Sequence, residues 1–248
     1  MQYQAATDSL KDRIILVTGA GDGIGKACAK AYAAHGATVI LAGKTTAKLE
    51  AVYDEIEQAG HPQAAIYPIN FEGASSKDYM DMAEIIDKEF GRLDGLHNNA
   101  AWLGTLTPVG LFDAEVWYKV MQINANAPFL LTRALLPLLQ ASDDASIVFT
   151  ADKQDTAYWG AYGISKASMN SFINILGDEL DVEKQIRVNG VNPGPVLTQI
   201  RRVAFPGASA EDTPQPNDVV APFLYYMGPD SQGKTKHHYH LPSDSIEA

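Results

Sequence analysis

The stretch VTGAGDGIGKACAKAYAAHG, Val17 to Gly36, decides the fold. It follows the apolar run RIIL and leads into an Ala-rich segment, so Gly19, Gly23 and Gly25 fall where a strand gives way to a helix. Glycine permits a tight, positive-φ turn there and lets the backbone approach a pyrophosphate, whose charge meets the free N–H groups at the start of the helix. A glycine-rich loop by itself also serves ordinary turns; its place between a first strand and a first helix points to dinucleotide binding.

The same alternation continues outward from this turn. ATVILAG precedes a helix expected from about Ala47, AAIYPIN precedes a helix through Ile85 and Ile86, and LDGLHNN, ASIVFT, IRVNGVN and KTKHHYH supply further candidate strands. Apolar, β-branched runs of this kind suit strands covered on both faces. The expectation is an α/β, Rossmann-type doubly wound sheet of about seven parallel strands with helices on both faces. No repeat or linker breaks the pattern, which predicts one NAD(P)-binding domain over 1–248. Residues 193–216, rich in Pro, Gly, Ser and Thr, read as an irregular substrate loop within it.

Composition narrows the possible functions. With 248 residues and 46% hydrophobic residues the chain can bury a large core, and a net charge of -11 offers no basic field for nucleic acid. Cys28 is the sole cysteine, so neither an internal disulfide nor a paired-thiolate metal site can form. The start MQYQAATDSLKDR lacks the basic-then-apolar order of a signal peptide, and no apolar run reaches the ~18 residues of a membrane span. A soluble, cytoplasmic protein contacting neither nucleic acid nor membrane is expected. In the HHYH run, strand alternation separates His237 from His238 and His240, so a structural role is expected and no metal. Trp102, Trp117 and Trp159 read as core or pocket walls.

Cofactor choice is read at the end of the second strand, in LAGKTTAKLE. An acid there would favour the ribose 2′-hydroxyl and repel a 2′-phosphate; Gly43 removes that repulsion, and Lys44, together with Lys26, can supply a cation. This favours NADP(H) over NAD(H), against the alternative that both lysines are ordinary solvated charges.

Tyr162 and Lys166, in WGAYGISK, are four residues apart and share a helix face. A tyrosine of pKa ~10 is mostly protonated and a poor base near neutral pH. A neighbouring ammonium favours the phenolate and draws that pKa toward the working range of an acid–base catalyst, as reversible carbonyl to alcohol conversion requires. Tyr158 has no lysine four residues on. Asn124 lies in a helical stretch interrupted by Pro128, whose missing N–H would have served the Asn124 carbonyl, so a kink with a freed acceptor is expected, for function or for packing alone.

TGAGDGIG, NNAA at Asn98 to Ala101, Asn124, the Tyr162 and Lys166 pair, and NPGPVLT from Asn192 to Thr198 occur in an order that resembles the short-chain dehydrogenase/reductase superfamily. DRIILVTGAGDGIG, LTRALLPLL, WGAYGISK and RVAFP are similar to a bacterial branch, the YciK-like oxidoreductases. The resemblance implies that Tyr162 donates or accepts the proton, Lys166 activates it and holds the cofactor ribose, and Asn124 holds a water in the proton relay. It also implies cofactor contacts from Gly19, Gly23, Ile24, Gly25, Asn99, Ala100, Pro193, Gly194, Val196 and Thr198, with Asn70 where the family commonly has an adenine-contacting acid and Ala101 where it has glycine.

The chain departs from that pattern before Tyr162. The family's serine, a donor to the substrate oxygen, falls on or beside Asp152 in TADKQDTAYWGAYGISK, and a carboxylate there would repel a developing alkoxide. Thr150, two strand residues or about 6–7 Å away, would need a rearranged loop to substitute, and Thr156 has no stronger claim. The reading is an NADP(H)-dependent oxidoreductase acting on a small carbonyl or alcohol with an atypical site. The alternatives are a nucleotide-binding protein with degraded catalysis, serving as cofactor sensor or assembly subunit, and an extended-branch sugar-nucleotide epimerase, for which the chain is short. Family resemblance and the apolar helices around Phe129 to Leu139 and Met169 to Leu176 predict a homodimer or homotetramer.

Overall fold

The computed structural model describes residues 3–181 and 186–241. Its seven strands are β1 (Ile14–Thr18), β2 (Thr38–Gly43), β3 (Ala65–Pro68), β4 (Gly95–Asn98), β5 (Ala145–Thr150), β6 (Ile186–Asn192) and β7 (His238–His240). All pair in parallel, in the order β3-β2-β1-β4-β5-β6-β7. The helices are α1 (Gly23–Ala34), α2 (Thr46–Gln58), α3 (Ser76–Phe90), α4 (Ala114–Met121), α5 (Ala127–Gln140), α6 (Gly160–Asp181), α7 (Gln199–Ala204) and α8 (Ala221–Met227). This is the doubly wound Rossmann-type sheet expected from the alternation of short apolar and longer amphipathic segments.

Strand residues divide between two cores because successive side chains point to opposite faces. Leu16, Ile147 and Phe149 pack with Met82, Leu135 and Ile173 from α3, α5 and α6, whereas Val17 and Val39 pack with Tyr32, Val52 and Phe223 from α1, α2 and α8. Helix ends follow local chemistry. Asp22 caps α1 by accepting from the Gly23 N–H at 2.7 Å, and Ser75 with Asp78 forms a capping box on α3, which ends at Gly91 with φ 72°. At the amino-terminal ends of the strands Asp144 bridges Arg13, at 2.7 Å, and Arg187.

The chain runs outward from β1 to β3 and then returns to place β4 beside β1. A crevice opens at the carboxyl ends of the strands where this reversal occurs, because the loops leaving β1 and β4 diverge to opposite faces. Two expectations change in detail. The predicted kink at Asn124 is a π-helical turn, Gln122–Asn126, in which the Ala127 N–H reaches back to the Gln122 carbonyl. The stretch 193–216 is not wholly irregular, since Thr198 caps the short helix α7 by accepting from the Arg201 N–H at 3.3 Å.

Candidate active site

A cavity of about 580 Å³ occupies the carboxyl end of the sheet. Its floor is the turn after β1. Gly19 has φ 66° and Gly23 φ 53°, conformations open to glycine at little cost. A Cβ at Gly25 would lie 2.3 Å from the Gly19 carbonyl oxygen and 2.5 Å from Asn99 Nδ2, so the three-way approach of turn, helix and β4 loop excludes any side chain. Ile24 completes this wall.

The β4 loop is fastened to β1. Thr18 Oγ1 accepts the Asn99 and Ala100 N–H groups at 2.9 and 3.0 Å, and Asn99 Nδ2 donates to the Thr18 carbonyl at 3.0 Å. Behind them lies a directed chain of buried and half-buried groups. Thr150 Oγ1 donates to Asn99 Oδ1 at 3.0 Å and sits 2.9 Å from His97 Nε2. Because the Thr150 proton is committed, His97 carries its proton on Nε2 and presents Nδ1 to the Tyr32 hydroxyl at 3.3 Å. Burial holds the His97 imidazole neutral, with its pKa lowered to about 3.

At the β2 end, Gly43, Lys44, Thr45 and Lys48 line the cavity, as does Asn70, whose Oδ1 accepts from the Glu72 N–H at 3.2 Å. Lys26 is a correction. Its Nζ is 2.7 Å from Glu55 and it does not line the cavity, because α1 turns that residue toward α2. The second lysine at this end is instead Lys48, which pairs with Asp22 at 2.5 Å. Lys48, in the first turn of α2, was not singled out by the sequence pattern. Pro193, Gly194, Val196 and Thr198 close the cavity from the β6 loop, continued by Ile200, Arg201 and Phe205. Trp102 and Trp159 line it, whereas Trp117 packs edge-on to Phe112.

Tyr162 and Lys166 lie at the far end of the same cavity from α6. Lys166 Nζ donates to the Thr150 carbonyl at 2.8 Å and stands 5.8 Å from the Tyr162 ring centroid. The Tyr162 hydroxyl donates to Asp152 Oδ2 at 3.0 Å. Burial and then the Asp152 carboxylate push the Tyr162 phenol well above its usual pKa, the reverse of the expected shift toward neutrality. Burial also lowers the pKa of Lys166, which Asp152 partly offsets. Asn124 clamps the loop after β4, its Oδ1 accepting from the Trp102 N–H at 2.8 Å and its Nδ2 lying 2.9 Å from the Trp102 carbonyl and 3.1 Å from Ser165 Oγ. Ser165, missed in the sequence, returns its own proton to the Tyr162 carbonyl at 2.7 Å.

Neither threonine stands in as a donor beside Tyr162. The Thr150 hydroxyl is committed to His97 and Asn99, and Thr156 is exposed and does not line the cavity. In the histidine run, His238 Nε2 is 2.8 Å from Asn174 Oδ1. Among the described residues no group of three or more His, Cys, Asp or Glu is placed to hold a metal, and no helix is long and apolar enough to cross a membrane.

A glycine turn, cationic residues at the β2 end and a buried Tyr–Lys pair in one crevice define a dinucleotide-dependent oxidoreductase of Rossmann type. The family model for short chain dehydrogenases matches residues 13–208, and the chain belongs to that family. It is 42% identical over 238 residues to the oxidoreductase YciK of Escherichia coli strain K12, covering 95% of this chain and 94% of that protein. A short chain dehydrogenase from Shigella flexneri 2a, crystallised with NADP, superposes with a TM-score of 0.92 at 41% identity over 95% of this chain and 99% of that chain. One from Escherichia coli CFT073, crystallised with NADPH, gives 0.93 at 41% identity over 96% of this chain and 100% of that chain.

Proposed function

We propose that this chain is an NADP(H)-dependent oxidoreductase that interconverts a carbonyl and an alcohol through Tyr162, Lys166 and Asn124. The observation that carries the reading is the convergence of the Tyr162 and Lys166 side chains with the side-chain-free glycine cradle in one cavity. The two relatives crystallised with NADP and NADPH support the choice of cofactor.

When bound, the dinucleotide supplies or accepts a hydride. Backbone at Gly19, Gly23, Ile24 and Gly25 meets its pyrophosphate, Asn99, Ala100, Pro193, Gly194, Val196 and Thr198 line its path, and Asn70 faces the adenine end. Lys44, and Lys48 beside it, favour a 2′-phosphate. Lys166 holds the ribose and biases the proton on Tyr162 Oη, which is given to or taken from the substrate oxygen. Asn124 fixes the Trp102 loop and serves the proton relay between Lys166 and solvent by holding a water. The Asp152 carboxylate opposes negative charge at the substrate oxygen, which makes the reaction on simple ketones slow. That same contact favours one other reading, a cofactor-binding protein with weakened catalysis. A cytoplasmic location and a homodimer or homotetramer complete the proposal.

Tyr162→Phe decides between the two readings. The variant keeps the ring's packing, so cofactor affinity should change little while turnover across a panel of aldehydes and ketones disappears; Lys166→Ala should impair both. Undiminished turnover in Tyr162→Phe moves the chemistry elsewhere, and no turnover in either protein favours the cofactor-binding role.

A further inference from the structure

Around Tyr162 the cavity combines a carboxylate with aromatic faces. Asp152 Oδ1 accepts from the Lys153 N–H at 2.7 Å and from Gln154 Nε2 at 3.2 Å, and Oδ2 accepts from the Tyr162 hydroxyl at 3.0 Å. These bonds fix the carboxylate without a direct ion pair, and the Lys166 ammonium acts on it only at longer range. Among the described residues no Lys, Arg or His nitrogen lies within 4.0 Å of it; Lys153 turns its ammonium to Asp155 at 3.6 Å, and Lys166 is held by the Thr150 carbonyl. The Trp159 ring is 5.7 Å from Tyr162 and 6.0 Å from Phe205, whose own face carries the Arg201 guanidinium at 3.9 Å. A carboxylate without a direct ion-pair partner, in a cavity that also presents a tryptophan face, can receive a cation.

We propose that the preferred acceptor at this site is a carbon–nitrogen double bond carried as a cation, a protonated imine or an iminium, and that Asp152 selects it. The inference rests on the hydride-transfer reading above and goes beyond it in naming the substrate class. The sign of the charge decides the argument. Reduction of a carbonyl develops negative charge on oxygen, next to a carboxylate and a tyrosine whose proton is already engaged. Reduction of an iminium begins with positive charge and keeps part of it in the transition state, so the same carboxylate favours that transition state over free substrate, and kcat/KM gains. The balance is complete without a proton donor. The iminium carbon receives a hydride with its electron pair from the dihydronicotinamide; one C–H bond breaks as the other forms. The C=N π pair becomes the nitrogen lone pair, the iminium is reduced to an amine and the dihydronicotinamide is oxidised. The proton stays on Tyr162 Oη, donated to Asp152, so the raised phenol pKa is no obstacle.

The test compares N-methyl-dihydroisoquinolinium with tetralone, a fused bicyclic pair of similar size, as acceptors for NADPH oxidation. The wild type should favour the iminium by at least about tenfold in kcat/KM. Asp152→Asn, which keeps the shape and removes the charge, should erase most of that preference. Calorimetry supplies a readout independent of turnover: tetrahydroisoquinoline should bind the protein with and without NADP, tetralol should bind more weakly, and the difference should vanish in Asp152→Asn. Should that variant fail to fold, Asp152→Ser makes the same comparison. A ketone preference in the wild type, or a substrate preference and amine affinity unchanged by the substitution, overturns this inference and leaves the proposed function standing. No turnover of the iminium by NADPH-loaded protein overturns this inference, and no turnover of the aldehyde and ketone panel as well overturns both.

Discussion

His97 makes the fold acid-sensitive, and His97→Gln should remove that sensitivity. The imidazole is fully buried between Tyr32 and Thr150, and its pKa falls to about 3 because no water solvates the charged form. In the unfolded chain a histidine titrates near ~6.5. The folded pKa lies below the unfolded one, so the contribution to stability is complete above pH ~6.5 and is lost progressively as pH falls toward the folded value. With those two pKa values the loss at pH 5 is about 2 kcal/mol relative to neutral pH, and at pH 4 about 3 kcal/mol. Glutamine keeps a donor for Thr150 Oγ1 and does not titrate. Urea titrations at pH 7.5, 6 and 5 would follow both proteins, and the difference between their slopes isolates His97, since His237 and His238, which burial also shifts downward, remain in each. Wild type should lose about 2 kcal/mol more than the variant between pH 7.5 and 5. Parallel loss in the two would refute the reasoning.

Lys44→Ala should weaken NADPH about tenfold or more while changing NADH little, as expected for one charge-assisted contact to a 2′-phosphate; equal losses for both cofactors in fluorescence titrations would count against the assignment. Gly25→Ala should cost about 1–3 kcal/mol in urea unfolding and abolish cofactor binding, because the new methyl meets the Gly19 carbonyl at 2.3 Å; unchanged affinity would mean that the turn adapts. Asp144→Ala should cost about 3 kcal/mol, since it strands the Arg13 and Arg187 guanidinia, whose side chains are 12% and 8% exposed; a shift below about 1 kcal/mol would place that cluster among ordinary surface pairs. Light scattering at micromolar concentration should give a homodimer or homotetramer, as Phe129 on α5 and Ile164 and Ile175 on α6 are 48%, 50% and 56% exposed; a persistent 26.8 kDa monomer would refute it.

What the sequence determined by itself is what depends on neighbours along the chain. The strand–glycine turn–helix unit at Val17 to Gly36 could be read because a five-residue apolar strand, an Asp cap and glycines at fixed offsets are all local features. The sheet followed from the alternation of short and long apolar patterns, and the meeting of Tyr162 with Lys166 followed from their spacing on one helix. Asp152 stood out because a carboxylate occupies the segment where the family places a hydroxyl. Charges and polar groups that meet across elements could not be read this way. Lys26 and Lys48 look alike in the sequence, and only the packing of α1 beside α2 gives one to Glu55 and leaves the other, paired with Asp22, in the cavity wall. The chain from Tyr32 through His97 and Thr150 to Asn99 joins α1, β4 and β5, so no local pattern announces it. The direction of the Tyr162 shift was likewise decided in three dimensions. A lysine one turn away favours the phenolate, but burial, and then a carboxylate 3.0 Å away, outweigh it. The sequence supplies the ionisable groups; the distances between them and their exposure to water, which together decide which effect wins, exist only once the chain has folded.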